Sequence, residues 1–352
     1  MKLIKKAAAA VVAASLALSL SACGTDVSWA AKIGNDVSVP IGMYIYTQAE
    51  NFRTYAQNGL LTTSSKLEEQ TLKVSDSDKK ATEYLDSEAV KTVKAYTGAQ
   101  MLAKEMKIEL TEDEIASVES SAKEKYDTDK EVFEKNGIAK SSVVEYYKNL
   151  ALQNDIFDAI YGEEGTNPIS DKELKKYIKD NYATISYIQQ YYYKDDGTMM
   201  SADEKAKVKK QYERIKSQAE SGKIKFADKC KDFEKNATNY KSGSTKYTTT
   251  WDKTSEDGKK IMELKEGELT FLETDSAIVL LQRQKIDYED AGIKTYRKTI
   301  LISYKFDEFT KDLVKKAESD KSVSFNQTAF DKFGSATRDF SNLSIPTNYN
   351  YY

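Results

Sequence analysis

The chain has 352 residues, with 53 Lys and Arg against 56 Asp and Glu, two Cys and no His. The lack of His excludes every mechanism that uses imidazole as base, proton shuttle or metal ligand, Ser-His triads and His-containing zinc sites among them. A net charge of −3 gives no reason to expect nucleic acid, two cysteines build no disulfide framework, and the length admits two or three domains.

Lys2, Lys5 and Lys6 precede an unbroken small and apolar run from Ala7 to Leu20. Such a run is too short to span a bilayer and reads as a secretion signal. It ends in Leu20-Ser21-Ala22-Cys23, which resembles the lipobox of bacterial lipoproteins. That resemblance implies a signal peptide over 1–22, cleavage before Cys23 and a lipid on the Cys23 sulfur. The rest of the chain would then sit at the outer face of the membrane. An ordinary signal peptide with an incidental cysteine is the alternative. No second hydrophobic run approaches the length of a span. Cys230 is read as a small buried residue in a helical pattern.

A first strand is expected at Val27–Ile33, followed by a turn at Gly34-Asn35-Asp36. A helix is expected from near Ser38, with Pro40 in its first turn and Ile41, Tyr44, Ile45, Phe52 and Tyr55 on one face. Residues 59–77 are polar and read as a loop or a frayed helix. Ala89, Val93, Tyr96, Ala99, Ala103 and Met106 keep the spacing of a helix face. Three Ser/Thr-x-x-Glu patterns then mark helix starts, at Thr111 with Glu114, Ser142 with Glu145 and Ser170 with Glu173. Residues 23–181 therefore read as a helical domain.

The pattern changes at Tyr182. Thr184–Tyr193 is aromatic and β-branched and reads as a strand, with a turn at Asp195-Asp196-Gly197. The turn begins like a calcium loop, but the regular acidic spacing does not continue. Ser201 with Glu204 caps another helix, a short helix is expected over Phe226–Phe233, and one helical turn over Ile261–Leu264. Tyr247–Trp251 and the apolar Ala277–Leu281 read as strands. These elements form a small α/β module over 182–287. From Ala291 the chain is helical again, with Ile302, Phe306, Phe309, Leu313 and Ala317 on the buried face. Residues 288–325 would return to the first helices, and 326–352 read as a polar tail. The fold class is α+β: a mainly helical, discontinuous domain with an inserted small α/β module.

This layout resembles the extracytoplasmic foldases of the PrsA and SurA type, in which a parvulin-like domain is set into a helical chaperone domain. Glu134-Lys135-Asn136-Gly137-Ile138 and the helix ending in Tyr161-Gly162 resemble the middle of the chaperone domain. Ile169–Leu174 is similar to the segment leading into the parvulin domain. Gly222–Ala227 resembles the family's G-x-x-F-A segment with one extra residue, and Leu264–Thr270 resembles the segment before the last strand. Order and spacing carry the resemblance. Parvulin isomerases hold one histidine on the first strand and one on the last; the matching positions here are Tyr187 and Ala277. The stretch before Ile261 that would line the proline pocket is the polar Lys253–Gly258. Prolyl isomerisation needs a dry pocket that favours the twisted amide over a barrier of about 20 kcal/mol, so the module is expected to be inactive.

The resemblance implies a lipid-anchored extracytoplasmic chaperone of the bacterial cell membrane that binds unfolded exported polypeptides. The sequence itself shows no phosphate loop, zinc spacing or paired-carboxylate site, so no cofactor and no metal are expected, and with the histidine positions changed no catalytic residue is assigned. The 24 tyrosines offer wide amphipathic contact area at little rotamer cost, although many would fill the core. Tyr187, Tyr191, Tyr193, Trp251 and Phe271 are the candidate peptide contacts, and Cys23 the lipidation site. The alternatives are an active isomerase with a His-free site and a solute-binding or scaffold lipoprotein. Solute binding would need two α/β lobes, and one small module is visible.

Overall fold

Trp29–Ile33 (β1) pairs antiparallel on both edges, with Val37–Pro40 (β2) and with Val323–Phe325 (β9). The computed structural model describes residues 26–35, 37–74, 77–194, 196–251, 253, 255–288 and 296–346. The expected signal peptide, Cys23 and Asp195 lie outside them. The chain divides into two compact units. One holds the described residues up to Ile160, Glu164–Thr166 and the chain from Phe306 onward; the other holds Tyr161–Glu163 and Asn167–Lys305. The α+β class holds: one unit is mainly helical and discontinuous, and the other is a smaller α/β unit.

In the helical unit, the helix expected from Ser38 begins three residues later, at Ile41–Gln57 (α1). Val37 and Val39 alternate as a strand instead, and Pro40 closes β2 at φ −69° and ψ 146° as the residue before α1. The proline ring fixes φ at a value that suits a strand end and a helix entry alike. The stretch read as loop or frayed helix contains a hairpin of Thr71–Val74 (β3) and Ser77–Lys80 (β4). Every β4 side chain is exposed, so no alternation marks it in the sequence.

Ala81–Met106 (α2), Glu112–Thr128 (α3), Lys130–Lys135 (α4) and Lys140–Tyr161 (α5) follow. The Thr111/Glu114 capping box forms as expected. The Ser142/Glu145 pair caps nothing, because α5 already starts at Lys140 and the Ser142 N–H bonds to the Ala139 carbonyl. Glu145 instead accepts from the Tyr96 hydroxyl at 3.1 Å. Arg297–Ser319 (α10) brings Leu313 onto α2 at Gly98. A Cβ at Gly98 would stand 2.0 Å from the Leu313 carbonyl oxygen, so only glycine admits this approach.

Within the stretch read as a polar tail, residues 326–346 pack onto the helical core. Gln327–Lys332 (α11) buries Ala329 and Phe330, and Phe340 and Leu343 enter the same core. Its apolar residues are few and irregularly spaced, so hydrophobic periodicity does not reveal it.

The α/β unit starts with Asp171–Asn181 (α6), opened by the expected Ser170/Glu173 box. Its four-stranded antiparallel sheet comprises Tyr182–Tyr191 (β5), Lys241–Thr250 (β6), Leu269–Glu273 (β7) and Ala277–Gln284 (β8), in the order β6-β5-β8-β7. Ala202–Glu220 (α7) starts at the expected Ser201/Glu204 box, Phe226–Lys235 (α8) follows Gly222, and Glu256–Glu263 (α9) precedes β7.

Candidate functional site

Successive side chains of a strand point to opposite faces, so β5 serves two cores. On one face Ile188 and Tyr192 meet Ile278 and Leu280 of β8, covered by Tyr212 and Ile215 of α7 and by Phe226, Cys230 and Phe233 of α8. Burial pushes the Cys230 thiol up to about 12, so it is an unreactive core residue at neutral pH. On the other face Ala183, Ile185 and Tyr187 of β5 meet Val279 and Leu281 of β8 and Leu272 of β7. The cover there is α9 with Ile261 and Met262, helped by Trp251 and Leu264.

The polar Lys253–Gly258 stretch starts α9. The Ser255 hydroxyl accepts from the Gly258 N–H at 3.0 Å, and Glu256 and Asp257 stand in the first turn, where they complement the helix dipole. α9 is eight residues long, and Tyr187 and Tyr247 stand on the β5–β6 side of the same face. There the Tyr187 ring meets Tyr247 edge-on, with centroids 6.0 Å apart at 76°. Tyr247 is 47% exposed. Burial raises the Tyr187 phenol above its ordinary value, against a hydrogen bond from Ser242. Trp251 Nε1 and Arg283 Nη1 are buried with no hydrogen-bond partner among the described residues.

The candidate contacts do not form one surface. Tyr187, Trp251 and, by its parity on β5, Tyr191 belong to the α9 face. Phe271 packs on the α7 side, opposite Leu280 in register. Tyr193 lies past the end of β5 and faces Tyr240, with centroids 5.8 Å apart. Tyr192 between them is buried and donates to Glu273 at 2.9 Å. Tyr247 was not singled out in the sequence, because the Ser- and Thr-rich β6 hides its alternation. Its placement opposite Ile185 is visible only once the register is known.

Tyr187 pairs with Leu281, and Ala277 pairs with Tyr191. The two positions matched to the parvulin histidines thus share a face but stand four residues apart along the ladder, roughly 13 Å. They do not converge on one reacting group. Among the described residues no group of three or more His, Cys, Asp or Glu could hold a metal, and no helix is long and apolar enough to cross a membrane.

No protein-family model and no curated protein sequence matches the chain. Solved structures do. The foldase PrsA of Lactococcus lactis matches with a TM-score of 0.37 and 13% identity, over 87% of this chain and 99% of that one. The foldase PrsA of Streptococcus pneumoniae matches with a TM-score of 0.36 and 15% identity, over 74% of this chain and 96% of that one. The peptidylprolyl isomerase PrsA of Bacillus cereus matches with a TM-score of 0.30 and 16% identity, over the same shares, 74% and 96%. The chain is similar to PrsA foldases.

Proposed function

We propose that the chain is a foldase-type chaperone that binds unfolded exported polypeptides, and that its α/β unit contacts peptide without catalysing isomerisation. One observation carries the reading: on the α9 face of the small sheet the partly buried Tyr187 and Trp251 are joined by Tyr247, which meets Tyr187 edge-on and is exposed. Aromatic rings bind varied apolar segments with little loss of rotamer freedom. The missing imidazole pair and the separation of Tyr187 from Ala277 speak against an active isomerase. The lipobox resemblance of Leu20–Cys23 adds a lipid anchor on Cys23 and a place outside the cytoplasm of a bacterium. The partners are then exported chains and, through the anchor, the membrane.

The test is proline-limited refolding of an unrelated protein. Stoichiometric amounts should raise the yield and leave the slow-phase rate unchanged. Acceleration at catalytic amounts would mean an active isomerase, and no change in either would favour a scaffold or solute-binding role. For the anchor, Cys23→Ala should move the protein from the membrane fraction to the soluble one.

A further inference from the structure

Residues 333–345 cross α1, α2 and the α3–α4 junction within the helical unit, and buried side chains grip their backbone at three places. At the first, Gln48 Nε2 donates to the Phe333 carbonyl at 3.2 Å and Asp86 Oδ1 accepts from the Ser335 N–H at 2.8 Å. At the second, one amide side chain takes both polar groups of one residue. Asn136 Oδ1 accepts from the Asp339 N–H at 3.0 Å, and Asn136 Nδ2 donates to the Asp339 carbonyl at 2.8 Å. At the third, Arg53 Nε donates to the Ser344 carbonyl at 3.0 Å and Asp129 Oδ1 accepts from the Ser344 N–H at 2.8 Å. Arg53 Nη2 and Asp129 Oδ2 close that grip at 2.7 Å.

These contacts read backbone, which every residue except proline offers in full. Side chains of the segment add contacts of their own: the Ser335 hydroxyl donates to the Thr82 carbonyl at 3.0 Å, Arg338 Nη1 donates to the Asn136 carbonyl at 3.1 Å, and Lys135 Nζ donates to the Asp339 carboxylate at 2.6 Å. The buried apolar anchors are Phe340 and Leu343, with Phe340 against Phe52 at 5.8 Å. A cavity of about 430 Å³ beside Phe340, lined also by Leu67 and Arg338, leaves room for a larger group. Gln48, Arg53, Asp129 and Asn136 are each less than 6% exposed. These groups are buried with the segment in place, and a client backbone that took its place would keep them paired.

We propose that this groove is a receptor for unfolded chain, occupied in cis by residues 333–345. Its external ligand is a segment with an aromatic residue three places before an aliphatic one and no proline at the gripped positions. The proposal rests on the chaperone reading and assigns it a second binding site, away from the small sheet. A segment tethered in cis acts at an effective concentration of the order of millimolar, so it lowers the apparent affinity for clients until it is weakened.

The probe is a fluorescent peptide of residues 333–346 added to the purified full chain. Leu343→Ala in the protein should tighten its binding at least about tenfold over wild type, because the competitor is weakened. The same peptide with Phe340 and Leu343 replaced by Ser should not bind. Absence of peptide binding to a folded Leu343→Ala variant would overturn the proposal. Hydrogen exchange on the wild type gives a readout that needs no variant. Saturating peptide should speed exchange at the Asp339 and Ser344 amides, and unchanged exchange would overturn the groove. A concentration-dependent dimer that exchanges the segment would assign the groove to a second copy and overturn the client assignment. If exchange stays unchanged while wild type still raises refolding yield, the groove fails and the chaperone reading stands. If yield fails while peptide displaces the segment, the reverse holds.

Discussion

The two faces of the small sheet are built from the same strands and end differently. On the α7–α8 face Tyr212 and Cys230 are fully buried and the core is closed. On the α9 face one eight-residue helix covers the centre, and Tyr247 stays half in solvent beside Tyr187. Antiparallel sheets tolerate a partly wet face, so stability can be concentrated on one side and contact surface left on the other. Truncation on each side should separate the two roles. Tyr212→Ala should cost about 3–5 kcal/mol in denaturant unfolding, as for other large aromatic residues in a core. Tyr212→Phe should be neutral or slightly stabilising, because the Tyr212 hydroxyl is buried with no partner among the described residues. Tyr247→Ala should change stability by less than about 0.5 kcal/mol and still weaken client capture in the refolding assay. A large stability loss at Tyr247, or none at Tyr212, would erase the distinction.

The closed face also depends on how near α8 comes to β6. A Cβ at Gly243 would meet the Phe233 Cβ at 2.7 Å, the Cys230 carbonyl oxygen at 3.0 Å and the Tyr187 carbonyl oxygen at 3.1 Å. Two of these neighbours are backbone and cannot swing away. Gly243→Ala should therefore cost about 1–3 kcal/mol, measured by the same unfolding curves. The loss should reach the α9 face as well, because Gly243 pairs with Ile188 one step from Tyr187.

The α+β class and most helices were legible because local chemistry and tertiary packing agree in them. Thr111/Glu114, Ser170/Glu173 and Ser201/Glu204 have the right spacing and stand at real helix starts. Ser142/Glu145 has the same spacing one turn inside α5, where the N–H groups are already being satisfied by the helix itself. The motif reports a possible cap; the place where the chain turns into a helix decides whether it acts as one. The segment after Phe325 was illegible for another reason. Its binding depends on Gln48, Asp86, Asp129 and Asn136, residues that composition counts as surface, reaching backbone some two hundred positions away. The candidate contacts were half legible. The parity of β5 sets Tyr187 and Tyr191 on one face, but the partner strand that brings in Tyr247 is set by register.

A smaller effect than at Tyr212 is expected at the cap that fixes α7 over the closed face. The Ser201 N–H and hydroxyl both donate to Glu204 Oε2 at 2.8 Å, and the Glu204 N–H returns a bond to the Ser201 hydroxyl at 3.4 Å. These bonds, with Lys194 3.2 Å away, hold the Glu204 carboxyl at about 2 against an ordinary 4.5. A carboxyl with a lowered folded-state value stabilises fully above its ordinary value, and that contribution fades as the pH falls from 4.5 towards 2. Glu204→Gln should therefore lower Tm relative to wild type at pH 6, with the gap closing between pH 4.5 and 2. The gap should be small, because the carboxyl is exposed and solvent screens it. Ser201→Ala, which removes the hydroxyl from both bonds, should cost about 1 kcal/mol near neutral pH. If the Glu204→Gln gap did not narrow in acid, the cap would be acting through shape rather than charge. α7 would still hold to the sheet by Tyr212, Ile215 and Val208 and by the Lys209–Glu273 pair.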